Sequence, residues 1–124
     1  MSQGITHDMV LECKKRLLLM KQELMNRVRA SHQEFSAQEK SSGDEIDQTV
    51  AQLAENSFLI AQERLRKQLL EIEFALARIQ SGNYGICEET QEPIEADRLL
   101  ALPYTRLSLE GAEMREAIGR KYAR

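Results

Sequence analysis

The sequence has few aromatic residues and no tryptophan. Phe and Tyr make up 5% of its 124 residues, whereas 30% are charged and 42% are hydrophobic. A thick globular core usually draws on large aromatic side chains. Their scarcity, beside abundant Leu, Ala, Glu, Gln, Lys and Arg, favours long helices. The length is that of one domain, or of one domain with an extended appendage.

Other absences exclude whole classes of protein. No uninterrupted apolar run is longer than four residues, as in 17–20, which is far too short to cross a membrane. The first ten residues lack the basic-then-apolar pattern of a secretory signal, so we expect a cytoplasmic protein that does not bind membranes. The net charge is −3 and the pI about 5.5. A protein that binds DNA directly needs a basic face to neutralise phosphates, so no direct DNA binding is expected.

Cysteine and histidine are also scarce. Cys13 and Cys87 are the only cysteines, too few for a secreted disulfide scaffold, so both are expected to be reduced thiols. Neither His7 nor His32 has a Cys, Ser or Asp partner at a catalytic spacing. The sequence contains no G-x-x-x-x-G-K loop and no G-x-S-x-G elbow. We therefore predict that the protein is not an enzyme.

Helical periodicity dominates the first two thirds of the chain. Apolar residues recur at steps of three and four over residues 9–35, and no Gly or Pro interrupts residues 5–42. The segment 41–44 (SSGD) predicts a turn in which Asp44 caps a second helix of about 45–80. Two long helices joined by a short turn are expected to pack antiparallel as a coiled-coil hairpin.

A different region follows the second helix. Gly82 and Asn83 are typical of a helix end, and Pro93 and Pro103 indicate short elements. The fold class is therefore mainly α: a hairpin over residues 1–81, with an acidic tip near 41–49, and a small knob over 82–124. Within the knob we expect a short helix over 95–102 and a terminal helix over 108–124. The apolar cluster expected to hold it comprises Tyr84, Ile86, Ile94, Leu99, Leu100, Leu102, Leu107, Leu109, Met114 and Ile118.

The stretch YGICEET begins like half of a zinc knuckle. Structural zinc requires four Cys or His ligands, commonly in two C-x-x-C pairs. Here Thr90 stands three residues after Cys87, and no cysteine follows. A single thiolate cannot hold structural zinc, so the number of ligands excludes this kind of site.

The residues around Cys87 nevertheless follow the pattern G-x-[YF]-G-x-C-x-x-C-x-x-x-I-x-x-x-R-L-x-A-x-P. The matching residues are Gly82, Tyr84, Gly85, Cys87, Ile94, Arg98, Leu99, Ala101 and Pro103. Together with the long hairpin before it, this pattern resembles the DksA/TraR family of bacterial transcription regulators over nearly the whole chain. The family's four zinc positions correspond to Cys87, Thr90, Ser108 and Gly111. The resemblance is to the zinc-independent members, with a degenerate zinc finger and no bound zinc.

The resemblance implies that the chain binds bacterial RNA polymerase directly, as a monomer, without binding DNA. The coiled coil would enter the secondary channel and bring the acidic tip near the active site. There it would modulate open-complex stability at promoters such as those of ribosomal RNA. The tip positions correspond to Asp44, Asp47 and Thr49. From the residues alone, the two aspartates also fit simple helix capping, and both roles can coexist.

Many family members act with guanosine tetraphosphate, which basic side chains hold at the polymerase interface. The corresponding positions here are Glu71, Leu102 and Ala112, so a conventional alarmone site is doubtful. Arg64, Arg66 and Lys67 lie close by in sequence and could substitute. Two other functions stay open: a coiled-coil adaptor that binds a different protein, and, less compatible with the pattern after the hairpin, a transcript-cleavage factor.

Overall fold

The computed structural model describes residues 5–42 and 47–122, which form four helices. These are α1 (His7–Ser42), α2 (Gln48–Ser81), α3 (Ala96–Ala101) and α4 (Leu109–Tyr122). An isolated antiparallel bridge joins Ile86 to Pro93. No described helix combines the length and the apolar character that spanning a membrane requires. The predicted mainly α fold, with two long helices followed by two shorter ones, is confirmed.

The chain divides into two compact units. The first, here called the knob unit, comprises Met1–Leu19 and Glu71–Arg124; the second, the tip unit, comprises Met20–Leu70. Each unit therefore contains one stretch of α1 and one stretch of α2. The division predicted at residue 81, with a hairpin before it and a knob after it, remains a prediction.

The core of the knob unit joins the start of α1, the end of α2, the turn after α2 and α3. Its buried residues are Cys13, Leu17, Ile72, Ala75, Tyr84, Cys87, Ile94 and Leu99. Cys13 has no exposed surface, and its Sγ lies 3.7 Å from the carbonyl oxygen of Leu99. Cys13 therefore packs in the core like a small apolar side chain, and burial of such groups is the main force that stabilises a core.

The end of α2 follows from its sequence. Gly82 has φ of 83°, a left-handed conformation that glycine adopts at little cost. The Asn83 amide then donates to the carbonyl of Arg78 at 2.9 Å, which satisfies one of the last free carbonyls of the helix. The helix end predicted at this glycine is confirmed.

The apolar cluster predicted for the knob is only partly confirmed. Tyr84, Ile94 and Leu99 are buried, and Leu100, Leu102 and Leu107 are half-buried. The prediction was wrong for Ile86, Leu109, Met114 and Ile118, all of which are exposed. In α4 every residue from 113 to 122 is exposed, and Gly111 is the buried one. Periodicity shows that a helix has an apolar face, but it does not show whether another element covers that face.

Within the tip unit, the α1 and α2 stretches pack through an aromatic contact. The rings of Phe35 and Phe58 are stacked with their centroids 4.3 Å apart. His32 meets Phe58 edge-on at a centroid distance of 5.1 Å. Leu24 is buried in the same unit. Leu24 and Phe35 both belong to the apolar pattern at steps of three and four over residues 9–35, so that pattern marks the face of α1 that packs in this unit.

Candidate functional site

The turn around Cys87 is held by backbone hydrogen bonds. The Cys87 amide donates to the carbonyl of Glu92 at 2.8 Å, and the Ile94 amide donates to that of Gly85 at 2.7 Å. Gly85 has φ of 89°, and a Cβ there would lie 3.4 Å from Leu99 Cδ1. The pattern requires glycine here because the backbone is left-handed and packs closely against a core side chain.

The structure brings together all four positions that correspond to the family's zinc ligands. The Thr90 amide donates to Cys87 Sγ at 3.5 Å, and the Ser108 side chain also hydrogen-bonds the Cys87 thiol. Ser108 Oγ in turn accepts from the Gly111 amide at 3.0 Å, which caps the first turn of α4. Gly111 packs directly against Cys87 Sγ, so closely that a Cβ would overlap the sulfur.

These contacts change the acidity of the Cys87 thiol. Burial alone raises its pKa, because the charged thiolate is poorly solvated. Hydrogen bonds from the side chains and backbones of Ser108 and Thr90 outweigh this effect and lower the pKa to about 6. The Cys87 sulfur is thus both fully buried in the core and an acceptor of hydrogen bonds.

The residues at these four positions do not fit tetrahedral zinc. They offer one sulfur, two hydroxyls engaged in local hydrogen bonds and a glycine with no donor side chain. Within the described residues, no cluster of three or more His, Cys, Asp or Glu side chains could hold a metal ion. The Gly111 backbone lies where a fourth ligand side chain would be needed.

The remaining residues of the family pattern have structural roles in the knob unit. The Tyr84 hydroxyl donates to the carbonyl of Pro103 at 2.7 Å. Arg98 Nε donates to the carbonyl of Leu107 at 2.8 Å, which joins α3 to the segment before α4. Leu99 is fully buried, whereas Ala101 is exposed at the end of α3. The pattern therefore encodes the fold of the knob unit rather than a set of reactive groups.

Sequence reasoning missed a cluster of ion pairs beside this turn. Glu88 lies between three arginines, 3.4 Å from Arg78, 3.7 Å from Arg106 and 3.8 Å from Arg115. Arg115 also pairs with Glu89 at 2.8 Å. Burial lowers the pKa of Arg78, although Glu88 partly opposes this shift. The cluster links α2, the Cys87 turn and α4, and no spacing rule connects residues so far apart in the chain.

The predicted tip residues are only partly within the described chain. Asp44 lies outside the described residues. Asp47 and Thr49 are both exposed and lie together at the start of α2. Asp47 Oδ1 accepts from the Thr49 amide at 3.1 Å, and the Asp47 carbonyl accepts from Ala51 at 3.0 Å. Asp47 thus caps α2, which begins at Gln48, while its charge remains in contact with solvent. The predicted start near residue 45, with Asp44 as the cap, was wrong, because the residue that caps α2 stands three positions later.

Comparison with known proteins identifies a family model and related sequences. Residues 82–117 match the family model described as the prokaryotic dksA/traR C4-type zinc finger. The chain is 33% identical over 103 residues to a protein of Caulobacter vibrioides named RNA polymerase-binding transcription factor DksA, covering 83% of this chain and 72% of that protein.

Two solved structures have a related fold. Transcription factor DksA2 from Pseudomonas aeruginosa is 33% identical, with a TM-score of 0.83 over 92% of this chain and 88% of that one. A regulator from Chlamydia trachomatis L2 is 24% identical, with a TM-score of 0.57 over 92% of this chain and 94% of that one, a likeness of fold alone. By its sequence and by its fold, the chain belongs to the DksA/TraR family.

Proposed function

We propose that this chain is a transcription regulator that binds bacterial RNA polymerase through the secondary channel and modulates initiation without binding DNA. The observation that carries the proposal is the identity of 33% across 72% of a factor named for polymerase binding. The likeness to DksA2 over 92% of the chain supports the same function. The net charge of −3 agrees with a protein partner rather than DNA.

In this proposal the exposed carboxylate of Asp47 acts near the polymerase active site, together with Asp44 and Thr49. A carboxylate in that position would pair with basic groups or perturb the binding of magnesium and nucleotide. Asp47 also caps α2, so a substitution that removes its whole side chain would both weaken the helix cap and remove the charge. Asparagine separates them, because it is an equally good cap and carries no charge.

The test uses purified polymerase and a ribosomal RNA promoter. Asp47→Asn is expected to bind core polymerase like the unmodified protein but to lose promoter inhibition by about tenfold, equivalent to ~1.4 kcal/mol. Glu55→Gln, which removes an exposed charge farther along α2, is the control and is expected to keep inhibition. If the unmodified chain did not bind polymerase at micromolar concentration, the proposal would fail and an adaptor function would replace it.

We assign no bound zinc to this regulator. The support is the donor set at residues 87, 90, 108 and 111, together with the close contact between Gly111 and Cys87. Hydrogen bonds to Cys87 and the ion pairs around Glu88 then link the segments that a metal would otherwise join. We also propose that the regulator acts in the cytoplasm, as a monomer and without catalytic activity.

The response to guanosine tetraphosphate is proposed to be weak. Glu71, at a position where relatives carry a basic group, accepts a hydrogen bond from Arg106 Nη2 at 2.9 Å. Its carboxylate would repel phosphates, and Arg106 is engaged in internal ion pairs. Leu102 and Ala112 are half-buried and carry no charge. Transcription assays with and without the alarmone are expected to differ little.

A further inference from the structure

An aromatic layer packs α1 against α2 on the side of the tip unit that leads to the tip. It comprises Phe35 and Phe58, whose ring centroids are 4.3 Å apart and whose planes are 11° from parallel, and His32, which meets Phe58 edge-on. Both phenylalanines are half-buried. An aromatic pair is more directional than an aliphatic contact, because the ring quadrupoles favour particular offsets and angles. The aromatic layer therefore fixes how the two helices lie against each other at this level.

No described side chain between the aromatic layer and the tip is buried. On α1, residues 36–40 are all exposed, and on α2 residues 47–57 are exposed except for Ala51, which is half-buried. Val50 and Leu53 are 51% and 61% exposed, so they add little to the packing. Within the described part of the chain, the aromatic layer is thus the last place where large apolar side chains pack between the helices before Asp47.

The packing directly behind the aromatic layer supports it weakly. Gln62 lies one turn of α2 farther from the tip than Phe58, on the same face of the helix. Its Nε2 is buried, and none of the described residues accepts a hydrogen bond from it. A buried donor without an acceptor destabilises the packing around it. The arrangement of the helices near the tip therefore depends more on the aromatic layer than on the level of Gln62.

The separation of Phe58 from Asp47 amplifies any change in this arrangement. Asp47 stands eleven positions before Phe58, which is about 16 Å along the helix axis. A tilt of about 10° at the aromatic layer would move the start of α2 by roughly 3 Å, the full length of a hydrogen bond. A contact between the Asp47 carboxylate and a partner group would be lost in such a shift.

We infer that Phe35 and Phe58 are positioning residues for the tip, because their stack sets the direction in which α2 carries the Asp47 carboxylate. This step rests on the proposed function, in which that carboxylate acts near the polymerase active site. The two rings act through the helix and not through a contact with the polymerase. The strength of inhibition then depends on the packing of the tip unit as well as on the charge of the tip.

The experiment separates positioning from affinity. Phe58→Leu keeps an apolar side chain in the aromatic layer but removes the stack. This variant is expected to remain folded by circular dichroism and to bind core polymerase within about twofold of the unmodified chain. Its inhibition of a ribosomal RNA promoter is expected to fall about fivefold, because the carboxylate is misplaced. Phe58→Tyr keeps the ring and is expected to restore inhibition.

Leu69→Ala is the control for stability. Leu69 is a half-buried residue of α2 in the same unit, eleven positions farther from the tip than Phe58. Its truncation is expected to lower the thermal unfolding midpoint at least as much as Phe58→Leu, since it leaves a cavity. Inhibition by this control is nevertheless expected to stay within about twofold of that by the unmodified chain.

A double variant tests whether the stack acts through the tip charge. Phe58→Leu combined with Asp47→Asn is expected to inhibit as weakly as Asp47→Asn alone, because no charge is left to position. Effects that multiplied in the double variant would show that the stack and the charge act independently, and would overturn the inference.

Other outcomes would also contradict the inference. Full inhibition by Phe58→Leu would show that the stack does not position the tip. Inhibition that fell equally in Phe58→Leu and Leu69→Ala would show an effect of stability alone. Failure of the unmodified chain to bind polymerase would instead reject the proposed function, and the inference with it. If Phe58→Leu unfolded, Phe35→Leu would take its place, since it removes the other ring of the stack.

Discussion

At the scale of single residues, the sulfur of Cys87 organises the turn after α2. It accepts hydrogen bonds from Thr90 and Ser108 and contacts the Gly111 backbone, so one acceptor joins the turn after α2 to the start of α4. The number of cysteines in the sequence already excluded four-thiolate zinc. The acidity of the remaining thiol could not be predicted, because it depends on donors brought to the sulfur by the fold.

The Cys87 thiol is expected to titrate near pH 6 in the folded protein, because its pKa is lowered to about 6 from an ordinary value of 9.0. A lowered pKa stabilises the folded state fully above the unfolded value, and this contribution is lost as the pH falls through about 6. Ultraviolet thiolate absorbance in a Cys13→Ala background would measure the midpoint. Urea unfolding at several pH values would show stability rising between pH 6 and 9.

Ser108→Ala serves as the control for this titration. Loss of its hydrogen bond is expected to raise the pKa of the Cys87 thiol, since a donor that favours the thiolate has been removed. A midpoint near 9 in the unaltered protein, the ordinary value for a cysteine, would contradict the assignment.

At the scale of elements, the C-terminal end of α2 was the easiest feature to predict, because Gly82 ends the helix through local backbone hydrogen bonds. The start of α2 was predicted about three residues too early, with Asp44 as the cap in place of Asp47. The close approach of α4 to the Cys87 turn was not predictable, since from the sequence a glycine within a helix indicates only a low helix propensity. Only the packed structure shows that the missing side chain leaves room for the sulfur.

Gly111→Ala is expected to destabilise the protein by about 1–3 kcal/mol, because the new methyl group overlaps a buried sulfur. Gly119→Ala, in the same helix, is the matched control. A Cβ at Gly119 meets nothing within 4 Å, so alanine there is expected to stabilise the helix by up to ~1 kcal/mol. Chemical denaturation of both variants would measure the difference. Stabilisation by both substitutions would show that α4 does not approach Cys87 so closely.

At the scale of the whole molecule, the proposed absence of zinc requires that the knob unit be stabilised by packing. Structural zinc contributes about 10–16 kcal/mol to the folding of isolated zinc fingers. Here the unit includes stretches of both long helices, and its core buries residues of α1, α2, α3 and the turn after α2. A core drawn from four parts of the chain reduces the need for a metal.

The protein is accordingly expected to keep its thermal unfolding midpoint in the presence of EDTA and to contain no stoichiometric zinc by elemental mass spectrometry. One zinc bound to the unmodified chain would refute the assignment.

The sequence alone determined the helical fold class, the helix end at Gly82, the family pattern around Cys87 and the lack of four zinc ligands. These features depend on local backbone preferences, on short spacings or on a count of residue types. Tertiary structure decided which apolar faces are covered, why Gly111 is small, and how Glu88 comes to lie among Arg78, Arg106 and Arg115. Those outcomes depend on contacts between residues far apart in the chain, and the free energy of such contacts is set by packing and burial, which periodicity does not specify.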